Sequence, residues 1–537
     1  MLIRTIGALG LAAVTAAAVA APAAASPSPD GQGRPLPSSP STAPGTAGEG
    51  PSAQRTCPGS ASPTRSDFNG DGHADAAVGD PFAAVGGTND AGAVTVLYGG
   101  GDGRVGEGER ARITQDSPGV PGGVEGGDWF GAALEPVNLD GDGCTDLVVG
   151  THGEDLDGAE NAGAVVVLYG SPDGLGAGRG SLWIDQSTAK VPGSSERLDE
   201  FGYSLSAAPA EGADAATLVV GTPYEDIGSL QDAGAATALW FTEEGGIAAA
   251  ARFDQDTPGV PGRPETSDLF GLGVELARVS GSTGRWDLLV GVPYEDVGSV
   301  RNSGGLIRIG DIAEAAAEYP SAWWDQASPG VAGSVEAGDL FGTDPEYVPT
   351  PEGGYAAVGV PGEDLSGRHD GGMAQSFTGT GDGLRADRSF HQDKEGAAGA
   401  VEDNDYFGFV LDGVPGTVAG GDARVVFGLP YEDIGAEEDS GAAQSFSLDA
   451  AGYDDRWIDQ STAGVPGTPE AGDFFGQEVA TAGDEDEQAL LVGAPDENAH
   501  GTVTVLPFGG GARAWEPGAG GVPEPANRFG ASLAGHA

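Results

Sequence analysis

The chain has 537 residues and sets 82 Asp and Glu against 24 Lys and Arg, for a formal net charge of −58. A charge of that sign and size argues against nucleic acid or an anionic membrane surface as a partner. It suits solubility and affinity for cations, although a solvated acidic surface with no ligand accounts for many of the same charges.

The chain opens with a charged start that ends at Arg4, an apolar core over 6–20, and small residues Ala23, Ala24 and Ala25. Residues 1–25 are therefore expected to be a secretory signal, with a mature start near Ser26 and a secreted product. No later stretch approaches the roughly 18 apolar residues of a membrane span, so no membrane insertion is expected. Residues 26–63 are rich in Pro, Ser and Gly and nearly lack large apolar side chains. Such a segment cannot bury enough surface to offset its ordering entropy, and it reads as a disordered leader. Export makes a disulfide between Cys57 and Cys144 chemically possible, with two free thiols as the alternative.

From residue 64 to 537 the chain repeats. Seven apolar runs end in a glycine: Gly79, Gly150, Gly221, Gly291, Gly359, Gly428 and Gly493. Seven Phe-Gly pairs begin at Phe130, Phe201, Phe270, Phe341, Phe407, Phe475 and Phe529. The spacing is about 70 residues, a period that marks a repeat architecture. Each unit offers four short strands. The first starts at Phe-Gly (130–137), and the second precedes the glycine (146–149). The third follows a small-residue–Gly pair (93–98, 164–169), and the fourth ends in Gln (113–115, 183–186). Seven such units make a seven-bladed all-β propeller. The first glycine has no Phe-Gly pair before it, and the last pair has no glycine after it. The C-terminal strand is therefore expected to complete the first blade and remove an open edge.

Two segments carry metal chemistry. Asp67, Asn69, Asp71 and Asp75 surround Gly72, and Asn138, Asp140, Asp142 and Asp146 surround Gly143. Oxygen side chains at positions one, three and five, Gly at six and an acid at nine make the front of a calcium loop, with the carbonyls of His73 and Cys144 at position seven. Val78 and Val149 stand at position twelve, where an EF-hand needs Glu, so each loop runs into a strand. The plainer alternative is an Asx-rich turn without metal. The other units lose the pattern; the fourth keeps Gly284 and Asp287, and the third has Glu211 but no acid at position nine. Two Ca²⁺ ions are expected.

The Phe-Gly pairs, these loops and the glycine that follows, as in Gly493-Ala494-Pro495, resemble FG-GAP repeats, which build the propeller of integrin α subunits. The resemblance implies structural calcium between the first two strands of a blade and a propeller that recognises a partner protein or a glycan.

Two acidic sets recur beyond the loops. Glu-x-x-Asp or Asn precedes each Phe-Gly, as in Glu125 and Asp128, and Glu-Asp follows five of the glycines, as in Glu154 and Asp155. Strand alternation places both sets at one end of the ring, opposite the calcium loops. They are expected to accept backbone N–H bonds in Gly-rich turns, with an acidic ring that binds cations or a basic partner as the alternative. The six His are scattered, and no nucleophile elbow, zinc motif or phosphate loop is present. An enzyme would need a unit that breaks the repeat with unique polar residues; the best candidate is 390–405, with His391, Lys394 and Asn404, and it is read as ordinary drift. Trp183, Trp323 and Trp457 are expected to pack blades rather than platform sugars. The reading is a secreted, monomeric, calcium-binding recognition or adhesion module without enzymatic activity. The alternatives are a glycan-binding lectin-like propeller or a hydrolase on a propeller scaffold.

Overall fold

The computed structural model describes residues 57, 66–100, 104–210, 216–279, 285–312, 316–350, 353–380, 383–416, 422–450, 452–483, 488–507 and 511–535. The expected signal, nearly all of the leader, Glu211, Gly284 and His536 lie outside them.

Seven four-stranded antiparallel sheets follow one another. The first blade holds β1 (Ala76–Asp80), β2 (Ala93–Leu97) and β3 (Arg110–Ile113). The second holds β4 (Ala133–Val137), β5 (Asp146–Thr151), β6 (Ala164–Leu168) and β7 (Leu182–Ile184). The third holds β8 (Leu205–Ala208), β9 (Thr217–Thr222), β10 (Ala235–Phe241) and β11 (Ile247–Phe253). The fourth holds β12 (Val274–Ala277), β13 (Asp287–Val292), β14 (Gly305–Ile309) and β15 (Ser321–Trp324). The fifth holds β16 (Thr343–Thr350), β17 (Gly353–Val360), β18 (Met373–Thr380) and β19 (Gly383–Phe390). The sixth holds β20 (Val410–Val414), β21 (Arg424–Leu429), β22 (Ala442–Ser447) and β23 (Arg456–Ile458). The seventh holds β24 (Glu478–Ala482), β25 (Ala489–Ala494), β26 (Thr502–Pro507) and β27 (Arg513–Trp515). The last strand, β28 (Ser532–Ala534), pairs with β1 through Val78 and Leu533 and completes the first blade, as the offset of the two repeat markers requires. The innermost strands β28, β4, β8, β12, β16, β20 and β24 touch their neighbours all the way round, which closes the ring.

The middle strands explain the apolar runs. Each is covered by a blade on either face, so β5, β6, β9, β13 and β21 are buried at every residue instead of alternating. The seven Phe of the Phe-Gly pairs seal the layers between blades and are almost fully buried. The signature glycine has a steric cause. A Cβ on Gly150 would lie 2.4 Å from the carbonyl oxygen of Gly202 in the next blade, and one on Gly291 would lie 2.1 Å from that of Gly342. The two markers are the two halves of one blade-to-blade contact.

Two boundaries differ from the sequence expectation. The first strand begins about three residues after Phe-Gly, because Gly131 turns at φ 90° and Phe130 bridges to Gly92 of the preceding blade. The fourth strand stops before its Gln, because Asp185 accepts the backbone N–H of Ser187 and the hydroxyl of Thr188 and bends the chain there.

Candidate functional site

In the second blade the calcium-type loop joins β4 to β5; in the first, the matching loop leads into β1, whose inner neighbour β28 comes from the other end of the chain. In the first, Asp67 Oδ2 accepts Gly72 N at 2.8 Å and its Oδ1 accepts Asp71 N at 3.0 Å. Asn69 Oδ1 accepts Asp71 N at 2.9 Å, and Asp71 Oδ1 accepts His73 N at 2.9 Å. The second loop repeats the scheme: Asn138 Oδ1 accepts Gly141 N, Asp140 Oδ1 accepts Asp142 N, and Asp142 Oδ1 accepts Cys144 N at 2.9 Å. The structure thus gathers the side chains at positions one, three and five at each loop.

The acid at position nine does a second job. Asp75 is fully buried; its Oδ2 accepts Phe68 N at 2.8 Å and its Oδ1 accepts Gly99 N at 2.7 Å. Asp146 takes Leu139 N and Gly170 N in the same way, both at 2.8 Å. Each carboxylate ties its loop to the end of the third strand. Burial, with nearby loop carboxylates adding to it, pushes Asp75 and Asp146 well above the usual carboxylate range. Burial also raises Asp67 and Asp142. Several oxygens crowded at raised pKa suit a divalent cation, and the donor set is all hard oxygen.

The loops abut. Thr145 N donates to Asp67 O at 2.9 Å and Ser171 N to Phe68 O at 3.1 Å, so the first loop leans on the second blade. A disulfide joins Cys57 to Cys144, at position seven of the second loop. Cys57, Cys144 and Asp142 form the one metal-like His/Cys/Asp/Glu group among the described residues, but its sulfurs are spent in the disulfide. Arg179 pairs with Asp140 Oδ2 at 3.2 Å and lies over the Tyr169 ring, a cation beside the second loop.

Two blades without the motif carry an arginine at the same depth. Asp287 opens β13 as Asp146 opens β5, and the buried Arg308 guanidinium donates to its Oδ1 at 3.1 Å. In β21 the corresponding residue is itself Arg424, which pairs with Asp454 at 2.7 Å.

The opposite end of the ring holds both acidic sets, as expected from strand alternation. In six units the Asp before Phe-Gly accepts the N–H of the Glu three residues earlier; Glu125 N to Asp128 Oδ2, at 2.7 Å, is one case. The Asp of Glu-Asp accepts an N–H six residues on, as Asp155 does from Asn161 at 2.8 Å. The Glu of Glu-Asp, and Glu497 at the same place in the seventh unit, instead meet the preceding blade: Gln115 Nε2 donates to Glu154 Oε2 at 2.8 Å, and Gln186, Gln255, Gln326, Gln392 and Gln460 do likewise to Glu225, Glu295, Glu363, Glu432 and Glu497. Burial, with neighbouring carboxylates adding to it, raises Asp128 to about 6 and Glu154 to about 8. The same causes raise Asp405 to about 7 and Glu432 to about 8.

Sequence reasoning missed three features. Carboxylates converge on the axis from the innermost strands: Glu346 is held well above the usual range by burial and then by Glu275, Asp412, Asp344 and Glu135. At the acidic end, His152 stands where most units have the Pro of Gly-x-Pro, and Glu200 stands where other units have Trp129, Leu269, Leu340, Tyr406 or Phe474. Both are buried, and neither ring nitrogen of His152 nor Oε2 of Glu200 has a hydrogen-bond partner. His152 stacks between Trp129 at 5.1 Å and Tyr203 at 5.0 Å, and Tyr203 leads to Tyr224 at 6.0 Å. In the 390–405 segment Lys394 donates to Ser389 Oγ at 2.8 Å, and Nδ1 of His391 has no hydrogen-bond partner. Trp183, Trp323 and Trp457 are half-buried and donate to Asp185, Asp325 and Asp459, which fits blade packing. One cleft of about 240 Å³ lies beside Trp323, Gly262, Glu295 and Asp296. No helix among the described residues is long and apolar enough to cross a membrane.

The FG-GAP repeat model matches residues 59–97 and 130–168, the two units that carry the loops. No curated protein matches the chain. Among solved structures, the periplasmic gluconolactonase PpgL of Pseudomonas aeruginosa is similar at 14% identity and a TM-score of 0.41, covering 85% of this chain and 98% of that one. The chain carries FG-GAP repeats in a seven-bladed β-propeller.

Proposed function

We propose that the chain is an exported, calcium-stabilised recognition module that meets its partner with the acidic end of the propeller and has no catalytic role. The observation that carries the reading is the division of labour between the two ends. One end concentrates hard oxygen ligands in two adjoining loops stapled by a disulfide. The other holds the two recurring acidic sets and an aromatic run from Trp129 through His152 and Tyr203 to Tyr224. A rigid scaffold with a chemically distinct face is the usual form of a binding propeller. The disulfide favours an extracytoplasmic setting.

The test is a glycan array together with a pull-down using protein that begins at Ser26, in calcium and in chelator. Saturable binding that is lost on changing the acidic end supports the reading.

A hydrolase is the second reading, favoured by His152 and Glu200, the polar residues that break the repeat. Turnover of a carbohydrate or ester by pure protein, abolished in His152→Ala, would establish it in place of the first.

A further inference from the structure

The two calcium-type loops are tied together at residues that the loops themselves use. Thr145, at position eight of the second loop, donates its N–H to the carbonyl oxygen of Asp67, position one of the first, at 2.9 Å. Thr145 follows Cys144, whose carbonyl stands at position seven and whose sulfur is bonded to Cys57. A second tie runs between the two position-nine acids. Asp75 Oδ2 accepts the N–H of Phe68 at 2.8 Å, and the Phe68 carbonyl accepts Ser171 N at 3.1 Å. Gly170, next to Ser171, gives its N–H to Asp146 Oδ1 at 2.8 Å. Phe68, Asp75, Cys144 and Asp146 are all fully buried. The ties have no slack between them: a Cβ on Gly170 would lie 2.3 Å from Thr145 O, 2.8 Å from Cys144 Cβ and 3.0 Å from Phe68 O.

We propose that the two loops fill as a coupled pair, with calcium in either one raising the affinity of the other; this rests on the reading that both take calcium. Asp67, Asn69 and Asp71 can hold an ion only with their backbone fixed, and that fixes the carbonyls of Asp67 and Phe68. Those carbonyls are the acceptors that hold Thr145 and Ser171. The second loop is then left with less of its own chain to order, since entropy spent at the first loop is not spent again. Linkage makes the gain mutual, so filling the second loop tightens the first by the same factor. The Cys57–Cys144 bond works in the same sense, because it fastens the chain before the first loop to the middle of the second. The outcome is a threshold. β1 leaves the first loop directly and is the strand on which β28 closes the ring. Coupled filling therefore steadies this seam and the neighbouring blade together, over one narrow range of calcium.

Calcium titration of the full chain by calorimetry tests this. Asp71→Ala leaves only the second loop to fill, and Asp142→Ala only the first; both side chains are exposed. The product of the two wild-type binding constants is expected to exceed the product of the two single-loop constants by about 5- to 150-fold. Changing Cys57 and Cys144 to Ala is expected to shrink that excess. Native mass spectrometry of the unmutated chain gives a second measure. At an average of one ion per molecule, two independent loops leave at least half of the molecules with one ion, whatever their affinities. Coupled loops are expected to leave fewer than half, and this share decides should either variant fail to fold. Equal products, or a share of half or more where the variants cannot be used, overturn the coupling and leave the calcium reading standing. A chain that binds no calcium overturns both.

Discussion

The amide of Gly530 donates to the carbonyl oxygen of Gly79 at 3.1 Å, and this bond between the last repeat marker and the first lies where the ring closes. A Cβ on Gly79 would fall 1.9 Å from Ser532 Oγ and 2.3 Å from Gly131 O, so the site admits no side chain without moving backbone. Gly79→Ala is expected to cost about 1–3 kcal/mol by overpacking. Ending the chain after Arg528 removes β28 and bares the edge of β1, and should lower the melting temperature further. Thermal melts followed by circular dichroism would check both. A truncated protein that melts like the full chain would show that the ring does not depend on this strand.

Calcium in the two loops predicts that chelator lowers the melting temperature, since an ion that binds only the folded state stabilises it by mass action. Replacing Asp71 and Asp142 with Ala should remove the loop contribution to that sensitivity. Arg179 beside Asp140 predicts an ordering: the second loop binds more weakly than the first, and Arg179→Ala raises its affinity. Equal affinities that ignore Arg179, measured by calorimetry on single-loop variants, would contradict this.

The Cys57–Cys144 bond spans 87 residues and anchors the chain just before the first loop to the middle of the second. Changing both cysteines to Ala is expected to cost about 2–5 kcal/mol and to weaken calcium binding at the second loop. Thiol titration of unfolded, unreduced protein should find no free thiol; two would refute the bond.

Much of this was legible in the sequence because a repeat states its own phase. The offset between Gly79 and Phe529 carried the ring closure, and strand alternation carried the gathering of Asp128 and Glu154 at one end. What stayed hidden depends on contacts between units. Gln115 read as the end of a strand, and only packing shows its amide reaching Glu154 in the next blade. His152 and Glu200 are visible as exceptions only once each unit is laid over its neighbours, where they replace a Pro and an apolar side chain. The Asp287–Arg308 pair needed the register of β13 and β14, which places Arg308 opposite Leu289, two residues along from the acid.

That pair gives a direct prediction about charge burial. Asp287 is fully buried and Arg308 nearly so. Arg308→Met takes the paired cation from a buried carboxylate that keeps its bond from Asp311 N and is expected to cost about 3–5 kcal/mol, whereas Arg308→Met combined with Asp287→Leu should recover most of the loss. Urea unfolding of the three proteins would decide it. A double variant no better than the single would mean that packing around Arg308, and not its charge, is what matters.

Glu200 sets the pH dependence that can be tested with one substitution. It is 5% exposed, and burial, with Asp232 adding to it, pushes its carboxyl up to about 8 from an ordinary value of 4.5. The folded protein therefore keeps this proton until the pH nears 8, while the unfolded chain releases it near 4.5. Between those values the folded state binds more protons, so stability falls as pH rises. A tenfold difference in proton affinity between the two states is worth about 1.4 kcal/mol, which makes the penalty at pH 8 on the order of a few kcal/mol. Glu200→Gln holds the neutral shape at every pH. The variant should match the wild type near pH 4.5 and exceed it increasingly toward pH 8, as read from denaturant midpoints across that range. A difference between the two that stays constant with pH would mean that Glu200 is ionised in the folded protein and that a cation or donor reaches its Oε2.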